Sequence, residues 1–199
     1  RLPAAVFISE RAVQEKAPKL CSQIGSLLDR LQRPGLVDEA KTAAFLSRLL
    51  CDAFARVEDD TDVRLDGSAA SVWHSWGDLL LEEDFSSHPY WRAIHDHDRA
   101  REVLSPSPEW EHAAAMAKEV LQTCGVLSQA LSREMLGSRF GPGIYMQARL
   151  CVLTRAFHVG KQWTMLPLVD SFNHSADPGV SWHFSAEADV MVMIAERAH

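Results

Sequence analysis

The sequence predicts an α+β fold, and two features of its patterning lead there. Apolar residues recur near helical spacing through most of the chain as far as Phe157, whereas beyond Gly160 the pattern changes to WTMLPLVD, VSWHF and DVMVMIAE, short apolar or alternating runs that read as strands. With 47% hydrophobic residues among 199, the chain can bury a real core in one domain or one and a half.

Taken in order, LPAAVFISERAV opens as a short strand leading into a helix: Pro3 sets its start, and Val6, Phe7 and Ile8 supply β propensity. Asp38 is a candidate N-cap for a helix whose Ala44, Phe45, Leu49, Ala53 and Phe54 follow near helical spacing. The acidic run Glu58 to Asp60 is expected to stop it, because negative charge opposes the dipole at a helix C-terminus. The polar, turn-rich DDTDVRLDGSAAS marks the expected internal boundary.

Short helices joined by Pro, Ser and Gly turns then run to about Gly143. Ser107 and Pro108 supply a cap and a first-turn proline for an alanine-rich helix from Glu109 toward Thr123; a second covers Val126 to Met135, with Gly137 placed to end it. Gly141 to Gly143 breaks the chain before a helix from Ile144 to Phe157, on which Ile144, Ala148, Cys151 and Leu153 are expected to share a face. There are no internal repeats and no low-complexity tract.

Acidic residues outnumber basic ones 27 to 20 without any Lys/Arg block, so charge does not point to nucleic acid. No apolar run approaches the roughly 20 residues that span a bilayer, and the N-terminus lacks a charged region followed by an apolar one; the expectation is a soluble, intracellular protein. Cys21, Cys51, Cys124 and Cys151 are widely spaced in apolar surroundings and read as buried free thiols.

Chemistry-bearing residues gather in two places. In HPYWRAIHDHD, His88, His95, Asp96, His97 and Asp98 include metal-ligand types, but His95 and His97 are two apart and face different ways on a helix, so a solvated polar turn is the plainer reading and no metal is expected. In MLPLVDSFNHSADPG an apolar run ends in Asp170, Asn173, His174 and Ser175, which need hydrogen-bond partners if buried; the run either turns outward or lines a site. Asn173 to Ser175 fits a glycosylation sequon, but nothing argues for the secretory pathway. Ser171 and Ser175 lack a nucleophile elbow, and side chains adjacent in sequence rarely converge as a triad with Asp170 and His174. Phe157, Trp163 and Phe172 read as core residues.

From Val152 to Ser175 the chain reads VLTRAF, a spacer, then LPLVDSFNHS. This pairing resembles the carboxy-terminal half of the SET-domain protein methyltransferases, in particular the Rubisco large-subunit methyltransferase type, in which an (S/T)RAF-like helix end precedes an LxPLxDxxNHS segment. LPAAVFISERAV resembles that type's early strand, AAFLSRLLCDAF its following helix, the helical middle its insertion, and VSWHFSAEADVMVMIAERAH the strands leading to its closing segment. The resemblance extends over nearly the whole chain, though only Arg155 to Ser175 is diagnostic. It implies a split, partial SET-domain β core with a helix-rich insertion: residues 1–60 as the N-terminal part of the core, 61–143 as the insertion and 144–199 as the C-terminal part.

The resemblance further implies transfer of a methyl group from S-adenosyl-L-methionine to a lysine, with histidine as the second candidate, of a protein substrate. By the same resemblance Asn173 and His174 contact the cofactor. Arg155, a permanent cation with a planar fork, would grip the methionyl carboxylate or the substrate backbone, and Asp170 would sit toward the substrate. Family members work in plastid, nucleus and cytoplasm. The chain starts at Arg1 and stops at His199 inside a strand-like pattern, so it is expected to be a piece lacking both the glycine-rich cofactor segment and the closing tyrosine, and inactive by itself. Neither Tyr90 nor Tyr145 can be carried over to that tyrosine's role, and Pro178-Gly179 stands where some relatives have Pro-Asn. The alternatives are a non-catalytic SET-like protein-interaction module and a metal-binding helical domain centred on His88 to Asp98.

Overall fold

The computed structural model describes residues 2–3, 6–32, 37–58, 69–159, 162–167, 169–171, 179–188 and 190–196. It is an α+β chain in which helices predominate. Strands β1 (Leu2–Pro3) and β2 (Ile8–Ser9) lead into α1 (Glu10–Lys16) and α2 (Pro18–Arg30), followed by α3 (Val37–Glu58) and α4 (Ala69–Leu81). The middle continues with α5 (Pro89–His95), α6 (His97–Leu104), α7 (Glu109–Ala130) and α8 (Arg133–Leu136). Then come α9 (Pro142–Arg155), β3 (Ala156–Val159), β4 (Gln162–Met165), a 3-10 turn over Val169–Ser171, β5 (Val180–Ser185) and β6 (Val190–Ala195).

Both sheets are antiparallel and three-stranded, in the orders β1-β6-β5 and β2-β4-β3. In the second, Ile8 and Ala156 both face Met165 across the ladder, so the first strands of the chain and the end of α9 meet on β4. Val6, Phe7, Leu166, Val169 and Met191 form a small apolar cluster between the two sheets. The larger core joins α1 to α4 with α7 and α9 through Ile24, Leu46, Leu50, Trp76, Leu127, Tyr145 and Leu150. Residues from 1–60, 61–143 and 144–199 thus share one core.

Several junctions differ from the sequence reading, each for a physical reason. Asp38 lies inside α3, which starts at Val37, so it is not the N-cap. The two expected helices either side of Gly125 are one, α7: an isolated glycine costs about 1 kcal/mol against alanine but does not break hydrogen bonding, and the chain leaves the helix only at Leu131, whose φ of −116° and ψ of 146° are extended. Ser107 Oγ accepts from the Glu109 N–H at 3.2 Å, but Ser107 is not the cap: α7 starts at Glu109 with Pro108 at its N-cap, one residue later than expected. Gly137 closes α8 with φ 93°. The helix expected to reach Phe157 stops at Arg155, because Ala156 turns extended to pair with Met165.

Leu153 is exposed while Ala148 and Cys151 are buried, since positions two apart on a helix point to nearly opposite sides. Trp163, expected in the core, is 62% exposed; it faces His158 near the β3–β4 turn, beyond the part of β4 that packs on β2. The expected stop at Asp59 and Asp60 and residues 59–68 of the expected boundary lie outside the described residues, while Ala69 to Ser71, also assigned to that boundary, form the first turn of α4. All four cysteines are buried and free.

Candidate functional site

Arg155 and Asp170 come together although 15 residues separate them. Arg155 is the last residue of α9, where the dipole favours a cation, and Asp170 sits in the 3-10 turn that follows β4. The β3–β4 hairpin folds the chain back on itself, bringing that turn beside the helix end. Arg155 Nη1 donates to Asp170 Oδ2 at 3.2 Å and, more weakly, to the Asp170 carbonyl at 3.4 Å. Its Nη2 donates to Glu83 Oε1. Trp76 Nε1 donates to the same Asp170 Oδ2 at 3.0 Å.

The Asp170 side chain is fully buried, and its Oδ1 has no hydrogen-bond partner among the described residues. Burial pushes its carboxyl above the ordinary carboxylate range, against the opposing pull of Arg155 and the Trp76 N–H. Burial likewise pushes the nearby Cys151 thiol up to about 12, so it is inert rather than nucleophilic. Beside the pair lies a cleft of about 300 Å³ lined by Trp76, Leu79, Leu80, Glu82, Glu83 and Arg155. Half of its lining is apolar, Trp76, Leu79 and Leu80, and half charged: two carboxylates and one guanidinium already engaged by Glu83 and Asp170.

Of the four residues singled out in the sequence, Arg155 and Asp170 therefore meet; Asn173 and His174 lie outside the described residues, as does Phe172. Two members of the site escaped the sequence reading. Trp76 and Glu83 reach Asp170 and Arg155 across 94 and 72 residues, and no local spacing announces such a contact. The one signal available was composition: WHSWGDLLLEED places tryptophan and paired glutamates around one amphipathic helix.

The histidine-rich segment serves local structure. His88 caps α5, its Nδ1 accepting from the Tyr90 N–H; His95 stacks on Trp91 at 4.1 Å between centroids, and His97 packs edge-on to Trp110. Burial lowers the pKa of both His88 and His95, favouring neutral rings. Among the described residues no group of three or more His, Cys, Asp or Glu is arranged to hold a metal ion, and no helix is long and apolar enough to cross a membrane.

A second buried cation is a brace. Arg149 on α9 donates to Glu119 on α7 and to Glu39 on α3, tying three core helices. No family profile matches the chain, and neither a curated protein nor a solved structure does.

Proposed function

We propose that the chain belongs to an S-adenosyl-L-methionine-dependent SET-type protein methyltransferase whose acceptor is a lysine side chain, with histidine as the second candidate. The observation that carries this reading is the contact of Arg155 with Asp170, which unites the TRAF and LPLVD segments in one polar site beside a half-apolar, carboxylate-bearing cleft. A lysine of ordinary pKa near 10.4 costs about 4 to 5 kcal/mol to present as a neutral amine at pH 7. Trp76 and Leu80, both buried, give the cleft an apolar side that favours the neutral amine, while Glu82 and Glu83 in its lining attract the cationic side chain. Asp170 does not line the cleft itself; Trp76 and Arg155, which do, hold its carboxylate behind the wall.

The donor set fits a cation better than an anion. Arg155 has both terminal nitrogens committed to Glu83 and Asp170, so in this reading it positions Asp170 rather than gripping the methionyl carboxylate. Asn173 and His174 would hold the cofactor, which supplies an electrophilic methyl group when bound. That same engagement of Arg155 favours the second reading, a non-catalytic SET-like protein-interaction module in which the ion pair is only a brace.

Calorimetric titration of S-adenosyl-L-methionine separates the two. In a chain that also carries the glycine-rich and closing segments the resemblance implies, the methyltransferase reading expects saturable binding that Asn173→Ala weakens at least about tenfold, a loss of about 1.4 kcal/mol. No binding, or an unchanged dissociation constant in Asn173→Ala, leaves the interaction module.

A further inference from the structure

A separate cavity of about 490 Å³ opens where the corner between α1 and α2 meets α3 and α4. Its floor is apolar: Leu20, Phe45, Leu49 and Trp73 are all buried, and Met135 closes one side. Its rim carries Lys16, Lys19, Arg48 and His74 against a single acidic residue, Asp52. This is a cationic rim on a chain whose formal net charge is −7.

The fold itself uses only part of that charge. Arg48 donates from Nε to both oxygens of Asp52, at 2.9 and 3.1 Å, and from Nη1 to the Glu134 carbonyl, so the two side chains neutralise each other. Lys16 holds its Nζ 5.9 Å from the Trp73 ring centroid, and among the described residues it has no carboxylate partner. Lys19 stands in the first turn of α2, which has no side-chain cap, and it too lacks a carboxylate partner among the described residues. A cation in a first helical turn is opposed by the helix dipole. Its placement therefore costs stability locally and gains nothing from the neighbours present. Two lysines without carboxylates thus flank an aromatic and aliphatic floor.

We propose that this cavity docks an acidic peptide segment of a partner protein, seating one apolar side chain on Phe45, Leu49 and Trp73 and setting flanking carboxylates on Lys16 and Lys19. The cavity is open on its rim side, which suits a side chain inserted from a longer segment. A free small molecule is usually enclosed over most of its surface. Charge complementarity selects the acidic partner, because like charges brought to such a rim are repelled. This inference does not rest on the methyl-transfer reading.

The test is fluorescence anisotropy of labelled hexapeptides with the 199-residue chain. The probes are DEFLDE, its charge-reversed counterpart KRFLKR, and the anchorless DEGGDE. DEFLDE is expected to bind saturably with a Kd of about 10 to 100 μM. Its affinity should weaken as salt is added, and neither of the other peptides should bind comparably. Replacing Lys16→Gln and Lys19→Gln together, both at exposed positions, should raise the Kd about tenfold with circular dichroism unchanged. The proposal is overturned if DEFLDE shows no saturable binding up to about 1 mM. Equal binding by the doubly substituted chain overturns it as well, as does comparable binding of KRFLKR or DEGGDE.

Discussion

Replacing Arg155 with methionine keeps most of the side chain's apolar volume and removes the cation that faces two carboxylates. Asp170, whose side chain is 0% exposed, keeps the Trp76 N–H but, among the described residues, loses its cationic partner. Taking one partner from a buried ion pair costs about 3–5 kcal/mol, because the other charge stays buried and uncompensated. Arg155 is 19% exposed and Glu83 34%, so water re-enters on that side and a smaller loss of about 2–3 kcal/mol is expected. At about 2–4 °C per kcal/mol for a chain of this size, the melting temperature falls by about 4–12 °C.

The pH dependence has a definite sign. Burial raises the folded-state pKa of Asp170 above the ordinary 3.8, so this group contributes stability that is complete below that value and is lost as pH rises through the raised one. Without Arg155 the folded value rises further. The deficit of Arg155→Met is therefore largest near neutrality and shrinks as the pH falls toward 3.8. Asp170→Asn added to Arg155→Met removes the stranded charge and should recover about 1–2 kcal/mol. Urea unfolding of the native chain and these variants at about pH 7 and about pH 4.5 measures both effects. An equal loss at the two pH values, together with no recovery in the double variant, would refute the reasoning.

At Gly137 the backbone has φ 93°, and a Cβ there would overlap Cys51 Cβ and stand 2.7 Å from its Sγ. Strain and overpacking together should make Gly137→Ala cost about 3 kcal/mol, and a melting temperature equal to the native one would show that this approach is not tight. Cys151, with its thiol near 12, should resist iodoacetamide at about pH 8 in the folded chain and label only in denaturant. Labelling in the native state at the rate of a free thiol would contradict its burial.

Legibility followed the range of the interactions. The runs WTMLPLVD, VSWHF and DVMVMIAE overlap β4, β5 and β6, because alternation and β-branching are visible within a few residues. The glycine closure at Gly137 was legible for the same reason. Junctions were not. A division was expected between Thr123 and Val126, yet α7 runs through Gly125, because packing of Val120, Cys124 and Leu127 outweighs one glycine's propensity. The first two residues of β3, Ala156 and Phe157, were read as helix, since AFHV takes its extended form from pairing with β4 rather than from its own composition.

The sequence by itself determined the fold class, the succession of helices and then strands, and the two polar residues, Arg155 and Asp170, that interrupt apolar surroundings. Each of these depends on side-chain type and on neighbours a few positions away, and periodicity records that. Only the tertiary structure decided that Arg155 faces Asp170, that Trp76 and Glu83 complete the group, and that Lys16 and Lys19 border an apolar cavity. Those contacts arise where distant segments are brought side by side by burial of a shared core, and the partner of a buried charge is set by that chain path rather than by sequence spacing.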